Sequence, residues 1–331
     1  CGFEKPIDIC ALGVDHLSVS KSPVVLQLKA KKFKFLHISS CFPRKGIIAL
    51  LDAYQKAFNI YDDVSLIIKT FDNLHNNIDA LLENYKQANP FFPHVIVIKD
   101  NYSQLEIISL YRCCDVYLAP SHGEGFGLPI AEAMLFSIPV ITTSWGGQND
   151  FVNDDNAWLL DYDFSYSESH FNLCDSVWAS PSSDNLSQIM KHFIIENKDI
   201  IRQKTKVAKN FVVKNLKWSN VAKKNYEFIQ NLSKFKSNKL PVVGFITTWN
   251  TRCGIASYCD SLLSNFKHKY KIFAPYADEK ISNDLNNVER CWETDKKFDS
   301  RLINSIIKNK VTTVVIQFNY GFFDFKSFSQ L

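Results

Sequence analysis

From Phe33 onward, short apolar runs alternate with stretches in which apolar residues recur every three or four positions. The runs Phe33–Ile38, Val64–Lys69, Val95–Ile98, Val116–Leu118, Pro139–Thr142 and Trp158–Leu160 predict buried strands. Between them, Ile47–Phe58 (Ile47, Leu50, Leu51, Tyr54 and Phe58 on one face), Ile78–Gln87, Gln104–Cys113 and Leu128–Phe136 predict helices. Ser103-Gln-Leu-Glu106 reads as a capping box for the third helix. Strands that alternate with helices imply a parallel sheet covered on both faces, with ligands beyond the carboxyl ends of the strands. Loops 39–46 and 121–127 both leave such ends and should face one crevice.

Residues 184–235 read as helical, with breaks near Asn197 and Lys217, and 237–241 as a linker. A second unit then starts. Val242–Ile246 predicts a strand, 247–254 a loop, Ile255–Phe266 a helix, and Tyr270–Phe273 and Thr313–Phe318 further strands.

The chain has 331 residues, enough for about two domains. Its 46% hydrophobic and 22% charged residues are those of an ordinary globular protein, and a net charge of +4 gives no reason to expect a nucleic-acid partner. The densest basic run, Lys29–Lys34, reads as a solvated flank of the first strand; weak attraction to an anionic membrane surface is the alternative. Nine cysteines without C-x-x-C spacing favour a reducing compartment over a disulfide framework or zinc site. Apolar runs fall well short of the roughly 20 residues that span a bilayer, and no signal peptide is evident. A cytoplasmic protein, with peripheral contact at the inner face of a membrane left open, is the expectation. The first residue is Cys1 rather than methionine, which suggests a piece of a longer protein.

The chemistry concentrates in Ser121-His-Gly-Glu-Gly-Phe-Gly-Leu-Pro-Ile-Ala-Glu-Ala-Met134. A glycine-rich turn between strand and helix offers free N–H groups and a positive dipole end to an anion. Glu124 and Glu132 would repel a phosphate, so they should bind neutral hydroxyls some distance from it; a carboxylate can hold a vicinal diol with both oxygens. A ligand with a diphosphate between a ribose and a sugar fits both demands. A dinucleotide fingerprint fits less well, because Leu128 stands where G-x-G-x-x-G needs its third glycine and Thr142-Thr143 end the next strand without an acid. Merely solvated acids are the plain alternative. His122 reads either as a general base or as a turn residue, and Asp150 with the loop Trp145–Gln148 reads as crevice lining or packing. No metal cluster is evident, and Asp161-Tyr-Asp163 reads as a turn.

The E-x7-E spacing of Glu124 and Glu132, Gly-Phe-Gly between them and Pro139-Val-Ile downstream resemble the donor-binding half of retaining GT-B glycosyltransferases. The resemblance runs from Phe33 to about Gln230 and includes Phe33–Gly46 as first strand and phosphate loop. Trp145–Phe151 and Cys174–Trp178 resemble a subgroup containing many surface-polysaccharide and O-antigen mannosyltransferases. Residues 242–322, with a Gly254-Ile-Ala turn after a first strand, resemble the opening of another GT-B amino-terminal domain.

The resemblance implies an α/β fold of GT-B type, a Rossmann-like doubly wound sheet followed by a partial second one. It divides the chain into 1–32 (end of a preceding segment), 33–236 (donor domain), 237–241 (linker) and 242–331 (incomplete second module). A fragment of a tandem protein, lacking an upstream acceptor domain, is favoured over a permuted single enzyme. The implied reaction moves a hexosyl group, mannosyl or glucosyl, from GDP- or UDP-hexose to a glycan or lipid-linked acceptor with retention, in surface polysaccharide or lipopolysaccharide assembly, without metal or a tightly bound cofactor. Lys45, with Arg44, would meet the diphosphate, Glu124 the transferred sugar, Glu132 the ribose, and the backbone of Gly125, Phe126 and Gly127 the sugar and phosphates. In that family a Gly-Arg pair often precedes the lysine, and here Ser39 and Ser40 stand there. The alternatives are a GT-B glycan or disaccharide phosphorylase and a non-catalytic nucleotide-sugar-binding module.

Overall fold

A computed structural model describes residues 8–18, 24–168, 175–234, 242–276, 280–293 and 300–317. The expected linker 237–241 and Cys174 lie outside them. Two compact units emerge: residues 17–215, and residues 1–16 with 216–331.

In the first unit the chain runs β1 (Phe33–Ile38), α1 (Ile47–Ala57), β2 (Val64–Lys69), α2 (Ile78–Ala88), β3 (Val95–Ile98), α3 (Gln104–Cys113), β4 (Val116–Ala119), α4 (Leu128–Leu135), β5 (Val140–Thr143) and β6 (Trp158–Leu160). A hairpin of β7 (Tyr162–Tyr166) and β8 (Val177–Pro181) follows, then α5 (Ser183–Ile195) and α6 (Lys198–Asn215). The six-stranded sheet has the order β3-β2-β1-β4-β5-β6, and every pairing in it is parallel. The strands are mostly apolar because both faces are covered. Phe35, Leu66, Ile68, Leu118 and Ile141 pack with Leu50, Leu51 and Tyr54 of α1 and with Leu186 and Met190 of α5. Residues of opposite parity, Leu36, Ile67 and Tyr117, are equally buried, and Tyr117 meets the Tyr111 ring of α3 at 6.1 Å. The capping box at Ser103 is formed by both of its bonds.

The sequence reading of Asp161–Asp163 as a turn is corrected: Tyr162 and Asp163 open β7, which pairs antiparallel with β8 from Tyr162–Pro181 to Tyr166–Val177. Tyr162, Phe164 and Tyr166 alternate along it, and Trp145 packs edge-on against Phe164 at 5.0 Å. Period-two aromatics outweigh the turn preference of two aspartates.

The second unit holds α7 (Trp218–Lys234), β9 (Val243–Ile246), α8 (Gly254–Ser264), β10 (Tyr270–Pro275), β11 (Val288–Trp292), α9 (Ser300–Lys308) and β12 (Thr313–Ile316). Its parallel sheet has the order β11-β10-β9-β12. β11 and α9 were not read from sequence: β11 carries two charges in five residues, and α9 spans only nine residues. α7, expected to close the donor domain, packs in this second unit. Its Trp218, Val221, Ala222 and Ile229 bury with Val243, Phe245, Leu262 and Leu263. Gly13 sits against Trp218 so closely that a Cβ there would lie 2.6 Å from the indole. Among the described residues no helix is long and apolar enough to cross a membrane.

Candidate functional site

In the first sheet, chain order reverses between β1 and β4: β1 is followed by β2 on one side and neighbours β4 on the other. Loops leaving these two strands must therefore diverge, which opens a crevice at their carboxyl ends. Loop 39–46 and loop 120–127 both lie there.

Each loop is held by backbone geometry. Pro43–Lys45 forms one tight helical turn, and Gly46 follows it at φ +70° before α1 starts. A Cβ on Gly46 would lie 1.8 Å from the carbonyl oxygen of Pro120, so glycine is required by both conformation and space. The His122 N–H donates to the Arg44 carbonyl at 2.8 Å and ties the loops together. Gly127, at φ +84°, turns the second loop into α4. From a third side, the N–H of Gly147 donates to the Glu124 carbonyl at 2.8 Å.

The charged side chains converge on Glu124. Lys45 Nζ lies 2.6 Å from its Oε1 and Arg44 Nη1 lies 3.3 Å from its Oε2. Arg44 also donates to the Gly123 carbonyl at 3.0 Å, and the Ser121 hydroxyl donates to Oε1 at 2.7 Å. Lys45 is 13% exposed and Glu124 9%, whereas Arg44 reaches the surface at 39%. Burial pushes the Glu124 carboxyl upward, but the Lys45 and Arg44 charges outweigh it and hold it below the ordinary carboxylate range. Burial likewise lowers Lys45, against the pull of Glu124.

Glu132 sits inside α4 and meets a different neighbour. The Tyr111 hydroxyl donates to its Oε2 at 2.8 Å. Burial raises its pKa to about 7, and the Tyr111 bond opposes the rise. Two glutamates of one motif thus differ: cations hold the Glu124 carboxyl low, and burial pushes that of Glu132 up.

Gly125 is exposed, and neither it nor Gly123 has any atom within 4 Å of where a Cβ would stand. The Phe126 ring packs on Phe151 at 4.9 Å. Trp145 is exposed at the hairpin, and Gln148 is fully buried, its amide donating to the carbonyls of Thr143 and Trp145. His122 stacks on Trp178. His37 was not singled out from sequence. It is fully buried at the end of β1, with Nδ1 2.8 Å from the Leu118 carbonyl and Nε2 2.7 Å from the Ser39 hydroxyl, and so couples β1 to β4. Burial lowers its pKa to about 4, which keeps it neutral. Its position closing an otherwise apolar strand was the available signal. Among the described residues no group of histidine, cysteine and carboxylate side chains is arranged to hold a metal.

Residues 19–165 match the family described as glycosyl transferases group 1. This segment is thus similar to the group 1 glycosyltransferases. Both loops of the switch-point crevice fall within the matched residues. An uncharacterized glycosyltransferase of Methanocaldococcus jannaschii is 31% identical over 134 residues, 38% of this chain and 32% of that protein. A phosphatidyl-myo-inositol mannosyltransferase of Mycobacterium tuberculosis is 27% identical over 183 residues, 54% of this chain and 42% of the relative. The chain thus spans less than half the length of these curated relatives. Sucrose-phosphate synthase of Thermosynechococcus elongatus is similar in structure, with a TM-score of 0.50 at 17% identity over 68% of this chain and 50% of that one. The chain therefore has an α/β fold of GT-B type.

Proposed function

We propose that the crevice binds a nucleotide-sugar and that the protein transfers its hexosyl group, mannosyl or glucosyl, with retention to a glycan or lipid-linked acceptor in surface polysaccharide assembly. The observation that carries this reading is the convergence of Lys45, Arg44 and Glu124 at the switch point, beside the start of α4. Without ligand, Glu124 engages both cations and leaves a net positive charge. A diphosphate brings more negative charge than one carboxylate and competes for Lys45 and Arg44. Released from them, Glu124 is available to accept hydroxyls of the transferred sugar, and Glu132, one turn into α4, those of the ribose. Exposed Gly125 leaves room for close approach to the sugar and phosphates, with Phe126 and Gly127 beside it. Negative charge developing on the departing diphosphate would be stabilised by Lys45, Arg44 and backbone N–H groups without a metal. The mycobacterial relative's transfer of mannose to phosphatidyl-myo-inositol supports a hexosyl donor and a lipid-linked acceptor. A donor half of one module, followed by the start of a second at residue 242, is the organisation this reading favours, with action at the cytoplasmic face of a membrane.

Calorimetric titration of the chain with GDP, UDP, GDP-mannose, UDP-glucose and inorganic phosphate, beside Glu132→Ala, tests the reading. Saturable binding of one nucleotide, weakened about tenfold or more in the variant, is expected from loss of a charge-assisted contact. A folded protein that binds no nucleotide overturns it, and binding of phosphate alone points to a phosphorylase.

A further inference from the structure

A second cavity, of about 710 Å³, lies between α1, the start of α2 and the β7–β8 hairpin. That volume is in the range of small-molecule sites. One wall is a pair of stacked rings, His122 and Trp178, with centroids 4.0 Å apart and planes inclined by 24°.

The pair is rigidly built. The His122 N–H is tied to the Arg44 carbonyl at 2.8 Å, and the His122 carbonyl accepts from the Ala179 N–H at 3.2 Å. The Trp178 indole donates to the Ser165 hydroxyl at 3.0 Å, and Ser165 bonds the Ser180 hydroxyl at 2.6 Å. Burial lowers the His122 pKa to about 4, so the imidazole is neutral and the stack uncharged at neutral pH. The ring forms one wall of this cavity.

Around the rings stand hydroxyls and two carboxylates, Asp52 on α1 and Glu168 just past β7. Asp52 Oδ1 accepts from the Tyr85 hydroxyl at 2.6 Å. No lysine or arginine is among the described lining residues. Arg44 and Lys45, between the lining residues Pro43 and Gly46, are engaged by Glu124, and Lys56 is engaged by Ser183 at 3.0 Å and Asp184 at 2.8 Å. Two carboxylates without a matching cation disfavour a phosphate. The first turn of α1 also borders the cavity, however, so a phosphate is the ligand class a test must separate.

We propose that this cavity binds neutral carbohydrate, with the His122–Trp178 stack as its platform and Asp52 and Glu168 as acceptors for hydroxyl groups. A sugar ring offers an apolar C–H face to an aromatic wall and hydroxyl donors around its edge, the pattern of groups found here. The cavity shares Cys41, Pro43, Gly46 and His122 with the two loops of the donor crevice, but neither Glu124 nor Glu132 lines it, and it extends along α1 to Asp52 and the hairpin. Its further role, holding a growing acceptor glycan beside the donor crevice, rests on the transferase reading.

The test is titration of the full chain with manno-, malto- and cello-trisaccharides and, separately, with inorganic phosphate, read on the indole N–H signals in ¹H–¹⁵N spectra. One trisaccharide should shift the Trp178 signal saturably. Trp178→Ala should weaken that binding about tenfold or more, through loss of the buried ring face. Trp178→Phe should restore most of it. Asp52→Asn, which keeps size and leaves an acceptor for Tyr85, should weaken it several-fold and keeps the test open if Trp178→Ala fails to fold. Glu132→Ala should leave it intact while removing nucleotide binding. Unchanged affinity in folded Trp178→Ala or Asp52→Asn, no trisaccharide binding, or phosphate binding at Trp178 instead would each overturn the proposal. Nucleotide binding without trisaccharide binding would defeat this inference alone, and the converse result would defeat the donor reading alone.

Discussion

Lys45 Nζ stands 2.6 Å from Oε1 of Glu124, a residue 79 positions away in the chain, and both side chains are nearly out of water. Removing one partner of such a pair strands the other charge. Glu124→Gln should therefore destabilise the first unit by about 3 kcal/mol, whereas combining it with Lys45→Met should cost less than the sum of the two single changes. Chemical denaturation of the three variants measures this. Strict additivity would mean that the two groups do not interact.

The glycines of the site separate into two kinds. A Cβ on Gly147 would lie 1.9 Å from the Gly125 carbonyl oxygen, and one on Gly46 1.8 Å from that of Pro120. Gly46→Ala and Gly147→Ala should each cost several kcal/mol, because backbone must move. At Gly125 a Cβ meets nothing within 4 Å. Gly125→Ala should melt within about 0.5 kcal/mol of the parent yet bind nucleotide-sugar more weakly. Equal losses of stability at Gly125 and Gly147 would contradict the assignment of room at Gly125 for a ligand.

Much of this was legible in the residues. The strand–helix alternation from Phe33 to Leu160 reports burial of every strand on both faces, and it places loops 39–46 and 120–127 at strand carboxyl ends. What the pattern does not contain is pairing across loops. Lys45 reads as a phosphate ligand from its position before a helix, and only the fold shows it engaged by Glu124. His37 was hidden because one histidine in a largely apolar strand carries no periodic signal. The hairpin was missed because Asp161 and Asp163 resemble turn residues locally, while the aromatic alternation of Tyr162, Phe164 and Tyr166 gains its meaning only from β8, more than ten residues on. α7 continues the helical pattern of α5 and α6, and nothing in its own period tells which unit its apolar face will meet.

Glu132 makes stability depend on pH in an unusual direction. Its pKa is raised from 4.5 to about 7 by burial. Between those values the folded protein keeps a proton that the unfolded chain has lost, so the contribution is full below about pH 4.5 and declines as pH rises, levelling off above about 7. The loss is of order 3 kcal/mol for a rise of this size. Stability measured across this range should fall in the parent and fall less in Glu132→Gln, which has no proton to lose. Identical slopes would show that another group carries the dependence.

The Tyr111 hydroxyl tunes that same carboxyl. It donates to Glu132 Oε2 at 2.8 Å and favours the ionised form, while its ring lies fully buried and stacks on Phe136 at 5.5 Å. Tyr111→Phe keeps the ring and removes the donor. The Glu132 pKa should then rise above about 7, since burial is left less opposed. If the ionised carboxylate is what holds the ribose diol, nucleotide affinity at neutral pH should fall in this variant and recover at higher pH, where the carboxyl ionises. A Glu132 carboxyl carbon followed by ¹³C NMR, beside calorimetry at two pH values, separates the effects. A pKa that stays or falls would remove Tyr111 from the control of Glu132. An affinity loss that persists at high pH would mean that the phenol acts on the nucleotide by another route than the charge of Glu132.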